Sequence, residues 1–377
     1  MAVRVTRRRG LGLMAAALAF ARRPVLAAPA APRWFGTRLT GAGAAFATAF
    51  DDAGRAVIDL PLPARGHGVA VSPDRGHAVV IGRRPGTFAL AVRLADGAVV
   101  ARAEAAAGRH FCGHGIHGAD GRLFFATETD FEGERGLIGV YDVAEGYRRV
   151  AEWESGGLDP HDVRLLPGGR LIAVANGGIL THPDAPGAKL NLDEMDSSLS
   201  LIDVASGAIV HQYRLAPDLF QLSIRHLAIG ADGSVAFAMQ SEGPADRLVP
   251  LGGVLRPDGT VQLLEMPRTA LADLRQYCGS LASDAAGRHF GMTSPRGGSA
   301  AFFAYDDGRY LGSRSLSDVC PIAADPAQPG RFYIAGGHGG IAVVGPGETR
   351  RLDGDLARTA LWDNHMALVS APQSTTW

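Results

Sequence analysis

Short apolar runs separated by turn residues recur along the chain from residue 33 to its end. One segment shows the unit clearly. A short run at 114–116 is followed by 122–128 (RLFFATE), 137–143 (LIGVYDV) and 147–154, each rich in β-branched or aromatic residues and bounded by Gly, Asp or Pro. The next segment repeats it as HDVRLL, RLIAVAN, SLSLIDV and AIVHQYR. Runs of this length and composition predict strands, four to a unit, and no long amphipathic helix period interrupts them.

The units share a starting signature. His67-Gly-Val-Ala-Val-Ser-Pro73-Asp74 matches His161-Asp-Val-Arg-Leu-Leu-Pro167-Gly168, and His114-Gly-Ile-His-Gly-Ala-Asp120-Gly121 matches His226-Leu-Ala-Ile-Gly-Ala-Asp232-Gly233. Cys278-Gly-Ser-Leu-Ala-Ser-Asp284 keeps the offset, Cys320-Pro-Ile-Ala-Ala-Asp325 is one residue shorter, and His365-Met-Ala-Leu-Val opens a copy that the chain end cuts off. Most spacings in this column fall near the 40–50 residues of a propeller blade. The long third step holds an insertion at 177–197. Only one strand, 366–370, follows His365, whereas three strand-like runs (33–39, 44–50 and 55–62) precede His67. The two ends complete each other, so the expected fold is an all-β, seven-bladed β-propeller over residues 33–377, its ring closed by three N-terminal strands plus one C-terminal strand. Closure removes exposed sheet edges.

Composition changes the picture little. The 37 Lys and Arg against 38 Asp and Glu leave no charge excess to attract nucleic acid. The 50 glycines suit a fold made of tight turns. The N-terminus is read apart from the fold. Thr6-Arg7-Arg8-Arg9-Gly10-Leu11, a short apolar run and small residues near Ala27–Ala30 resemble a twin-arginine signal peptide over residues 1–30. A basic anchor helix is the alternative. Export of the folded protein to the periplasm is the expectation, with no membrane span in the mature form.

In a propeller the first strand of each blade lines the central channel. The column residues His67, His114, His161, His226, His365, Cys278 and Cys320 therefore should ring one mouth. Imidazole and thiolate are the ligand set for zinc, copper or iron, and disfavour calcium or magnesium; a transition metal is expected, with iron or copper placed before zinc. Two plainer readings stand beside this one. A repeated His can be a hydrogen-bonding element of blade architecture, and the two cysteines can be a disulfide or small buried residues. Glu128, Asn176 and Gln240 sit toward second-strand ends near the same mouth; Asp162, Arg164 and Arg225 flank column histidines and could orient them. The insertion, with His182 and Asp184, is placed as a cover over that face. No nucleophile elbow, phosphate loop, zincin helix or haem-attachment motif occurs.

Cys112-Gly-His-Gly, Asp159-Pro-His-Asp-Val-Arg, Ala175-Asn-Gly-Gly-Ile, Thr181-His-Pro-Asp, Lys189-Leu-Asn-Leu-Asp, Ile224-Arg-His-Leu and Asp363-Asn-His-Met resemble an uncharacterised bacterial family, the domain of unknown function numbered fifteen-thirteen. The resemblance spans nearly all of the chain after the signal. It implies an exported propeller encoded near imelysin-type periplasmic iron-uptake proteins, hence a part in metal acquisition with such a protein as partner, and it carries over no catalytic residues. Two other functions remain open: a propeller enzyme of lactonase-like or quinone-dependent dehydrogenase-like type, with Glu128 and Asp162 as acid/base groups, and a metal-free protein-interaction platform.

Overall fold

The computed structural model describes residues 33–345 and 347–370; residues 1–30, read above as a signal peptide, lie outside them. Seven four-stranded antiparallel sheets account for the described chain. Numbering blades from the first complete one, their innermost strands are Gly66–Val71, Arg109–His117, Pro160–Leu165, Leu222–Ile229, Ser280–Ser283, Val319–Ala324 and Leu361–Leu368. Each packs against the next in order and the seventh returns to the first, so the seven enclose a common axis. Blade 7 is assembled from both ends of the chain: Leu361–Leu368 pairs with Trp34–Leu39, followed outward by Ala45–Phe50 and Ala56–Pro61. This is the expected closure. The C-terminal strand begins earlier than expected, because Leu361 and Trp362 already pair with Leu39 and Arg38.

The strands take their places through apolar patterning. The core lies between neighbouring blades rather than in one central mass, with one continuous cluster running through blades 3, 4 and 5. Phe125, Ile138, Val163 and Ile172 pack blade 2 on blade 3, while Trp34, Phe50, Tyr333 and Trp362 pack blade 6 on blade 7. Middle strands are buried on both faces, and outermost strands such as Arg148–Glu154 show mostly exposed positions. Full burial of each large side chain contributes about 1.5–3 kcal/mol.

Hairpins between first and second strands in blades 1, 2 and 4 share one device. Asp74, Asp120 and Asp232 each accept a hydrogen bond from the backbone N–H two residues ahead, at 2.9, 3.0 and 2.9 Å. This Asx geometry is why the Asp recurs in the repeat. Two short helices, Arg268–Asp273 and Asp355–Thr359, are the α-helices among the described residues. None is long and apolar enough to cross a membrane.

Candidate metal centre

The innermost strands are not regular where the column falls. In six of seven blades the pairing of first and second strands skips a register: between Gly66 and Val69, Phe111 and Gly115, Pro160 and Asp162, Ile224 and His226, Val319 and Ile322, and opposite Gly36–Arg38 in blade 7. A bulge re-aims the side chain it carries. His67, His114, His161, His226 and His365 all lie in or beside these skips. Gly113 permits the closest approach. Its φ is +102°, and a Cβ there would sit 2.4 Å from the His67 ring.

Five imidazoles meet on the axis. Ring centroids of His67 lie 4.9, 5.5 and 4.7 Å from those of His114, His161 and His365. His226 stands 4.8 Å from His161 and 4.9 Å from His365. One nitrogen from each of His67, His114, His161 and His365 falls within 4.8 Å of the others, and His226 borders this group. Donors around a tetrahedral ion at 2.0–2.1 Å stand about 3.4 Å apart, so small ring rotations suffice to close on one.

The chemistry of the group is unusual for packing alone. All five are buried. Both nitrogens of His67 and of His226, Nδ1 of His161, and Nε2 of His114 and His365 have no hydrogen-bond partner. Buried polar atoms are normally paired, and each unpaired one costs free energy. Burial pushes His67, His161, His226 and His365 well below the ordinary imidazole value, and neighbouring rings and guanidinium groups add to the effect. Neutral rings with free lone pairs are the metal-binding form.

Two of the rings are oriented from behind. His114 Nδ1 lies 3.2 Å from Asp162 Oδ1. The carboxylate also accepts from the backbone N–H of Val163 at 2.8 Å and of Leu227 at 3.0 Å, and Arg164 lies 3.2 Å away. Burial alone would raise the Asp162 pKa, but Arg164 and His114 outweigh it and hold the group ionised. A carboxylate only accepts, so His114 donates from Nδ1 to Asp162. His365 Nδ1 meets Ser280 Oγ at 2.9 Å. Asp162 and Arg164 thus stand where the sequence suggested.

The cysteines do not join the histidines. Cys278 Sγ is packed against Met292 Sδ at 3.6 Å in the apolar wedge around blade 4, and burial pushes its thiol up to about 12. The offset misled because Asp284 opens its turn, through its N–H to His289 O, whereas in blade 4 Gly230 opens the turn and Asp232 lies two residues inside it. Counting four back from each opening residue gives His226 and Ser280, so Ser280 is the residue of blade 5 at the axis. Cys320, whose copy is one residue shorter, has its sulfur against Gly279, facing a recess with Arg65 and Asp363. All three cysteines are unpaired, so the disulfide alternative is not realised.

Other residues placed near the mouth fall elsewhere. Glu128 is buried inside blade 2, accepting from Tyr141 Oη at 2.5 Å and Arg149 at 2.8 Å. Asn176 faces blade 3, donating to Ser155 O, Ser198 and Ser200. Both were assigned from second-strand position without the alternation that turns each away from the axis. The insertion folds over the blade edges instead of the axis: His182 packs on Phe131, exposed Asp184 follows it, and Lys189 pairs with Glu242. None of its residues lines the axial cavities. Gln240 does reach the mouth, donating to Cys278 O at 2.9 Å.

The sequence reading named Arg225 but missed Arg83 and Arg84 beside it. The imidazoles divide the channel in two. His114, His365 and Ser280 border a cavity of about 320 Å³ on the hairpin side. His67, His161 and His226 border one of about 130 Å³ on the mouth side, with Arg83, Arg84 and Arg225. Arg84 and Arg225 both pair with Asp159, whose carboxyl they hold below its ordinary value against the opposing effect of burial. Arg83 and Arg84 directly follow strand His77–Gly82, a signal that the second-strand-end rule contains.

Comparison with known proteins adds three findings. A family profile described as "Protein of unknown function (DUF1513)" matches residues 60–369. Among curated proteins none matches. Among solved structures, hydrazine synthase of Kuenenia stuttgartiensis is similar in fold, with a TM-score of 0.61 at 15% identity over 86% of this chain and 98% of that one. With 1420 matching chains, the fold is widely shared, and likeness at this identity does not select a function.

Proposed function

The chain belongs to the DUF1513 family, and on that premise we propose that it is a periplasmic propeller that holds a transition metal, iron or copper, on its axial histidines and serves in acquisition or handling of that metal. The observation that carries this reading is the convergence of five buried imidazoles, each with at least one ring nitrogen that has no protein partner. Imidazole is a ligand for zinc, copper and iron, and His67, His114, His161 and His365 offer four nitrogens close enough to share one ion. Asp162 behind His114 and Ser280 behind His365 supply the outer contacts that fix ring orientation in metal sites.

Export by the twin-arginine route rests on Thr6-Arg7-Arg8-Arg9-Gly10-Leu11, and that route carries proteins already folded. The association with iron rests on the resemblance to propellers encoded beside imelysin-type iron-uptake proteins, which makes such a protein the proposed partner. The test is His161→Ala with His226→Ala in one chain, titrated with Cu(II) and with Fe(II) in the absence of chelator. Loss of stoichiometric binding with an unchanged far-ultraviolet dichroism spectrum is expected. Equal affinity in a folded double variant would overturn the ligand assignment.

A further inference from the structure

The two arginine clusters at the mouth are not explained by the histidines beneath them. Arg84 and Arg225 share the single carboxylate of Asp159, and Arg65 and Arg83 share that of Asp363. Arg296 lies over the Tyr277 ring, 4.2 Å from its centroid, and has no acidic partner among the described residues. With Asp318 included, five arginines face three aspartates around the mouth, an excess of two positive charges. Arg225 has a side chain only 8% exposed, and its Nε is buried with no hydrogen-bond partner.

This charge sits where a bare cation would have to pass. Arg164 borders the cavity on the other side of the histidines, so neither approach is lined to attract free metal ions. The mouth is divided as well. A recess of about 130 Å³ holds Arg84 and Arg225, and an adjoining one of about 300 Å³ holds Arg65 and Arg296; Arg83 and Tyr277 border both. Two positive recesses side by side fit two anionic groups on one molecule, and a guanidinium fork matches a carboxylate.

We infer that the propeller mouth is a binding site for a small polycarboxylate, which docks on Arg83, Arg84, Arg225 and Arg296 directly above the histidine ring. Its use as carrier or outer ligand of a metal rests on the function proposed above; the anion site itself does not. A negatively charged chelate would bring its metal through a mouth that repels the free ion, and would offset the charge of the bound metal.

The test is calorimetric titration of the metal-free protein with citrate, repeated with inorganic phosphate. The variants are Arg83→Gln with Arg296→Gln, which leaves the buried Asp159 cluster intact, and Arg93→Gln, an exposed outer-strand change used as a control. Citrate is expected to bind one to one to the wild type and to Arg93→Gln, at least tenfold more weakly to the folded double variant, and more weakly in both as salt is raised. No citrate binding, equal affinity in the double variant, or binding of phosphate but not citrate would overturn the proposal. Citrate binding to a protein that takes up no metal would leave the anion site standing and remove the metal reading alone.

Discussion

Replacing Asp162 probes the histidine group without touching it. The carboxylate is buried and accepts four contacts, from His114 Nδ1, Val163 N, Leu227 N and Arg164. In Asp162→Asn the remaining carbonyl oxygen can still serve Leu227, but the charge that fixes the His114 tautomer is gone. Loss of such an outer partner lowers metal affinity about 10–100-fold, or about 1.4–2.7 kcal/mol. Asp162→Ala also strands two buried backbone N–H groups, each costing about 1–3 kcal/mol. The alanine variant is therefore expected to lose several kcal/mol of metal-free stability and the asparagine variant much less, while both bind metal more weakly. Competition with a chromophoric chelator measures the affinity, and urea unfolding of the metal-free proteins measures the stability. Unchanged affinity in Asp162→Asn would refute the argument that this carboxylate orients a ligand.

Further outcomes follow from the same geometry. His67, His161, His226 and His365 have folded pKa values below the unfolded 6.5, chiefly through burial, so the unfolded chain takes up protons that the native one refuses. Metal-free stability should therefore fall as pH drops below about 6.5, by up to about 1.4 kcal/mol per pH unit for each histidine; urea midpoints at pH 7 and pH 5 check this, and equal midpoints would contradict it. Buried Asp159 and Asp162, with depressed values, lose their contribution only at lower pH, below the ordinary aspartate range. Cys278→Ser and Cys320→Ser should keep full metal stoichiometry by elemental analysis, since neither sulfur reaches the ring. Glu128→Gln should destabilise the fold, because a buried Arg149–Glu128–Tyr141 contact loses its charge, yet leave metal affinity unchanged in the chelator competition.

Much of this architecture was legible in the sequence because blades repeat. The strand runs, the Asx turns and the split seventh blade all follow from alternation and spacing, and five histidines of the column converge as the repeat implied. Legibility failed where a single residue shifts the frame. The turn in blade 5 opens at Asp284 itself, which moved the axial position from Cys278 to Ser280. Bulges decide which way Cys320 and His226 point, and backbone irregularities of that kind leave little trace in composition. Glu128 and Asn176 failed for a simpler reason: strand position was read without side-chain parity. Arg225 was singled out only as a neighbour of His226; its partners at the mouth were overlooked because Arg65, Arg83, Arg84 and Arg296 come from blades 1 and 5 and join it only when the ring closes.

The central claim is that the five imidazoles hold a metal. Plasma mass spectrometry on protein exported by its own signal and purified without chelator or affinity tag tests it most directly, with the His161→Ala, His226→Ala variant prepared in parallel. The account predicts about one iron or copper per chain in the wild type and little in the variant. Wild-type protein that carries no metal, and takes up none on reconstitution, would contradict it and leave the histidine column as a feature of blade architecture.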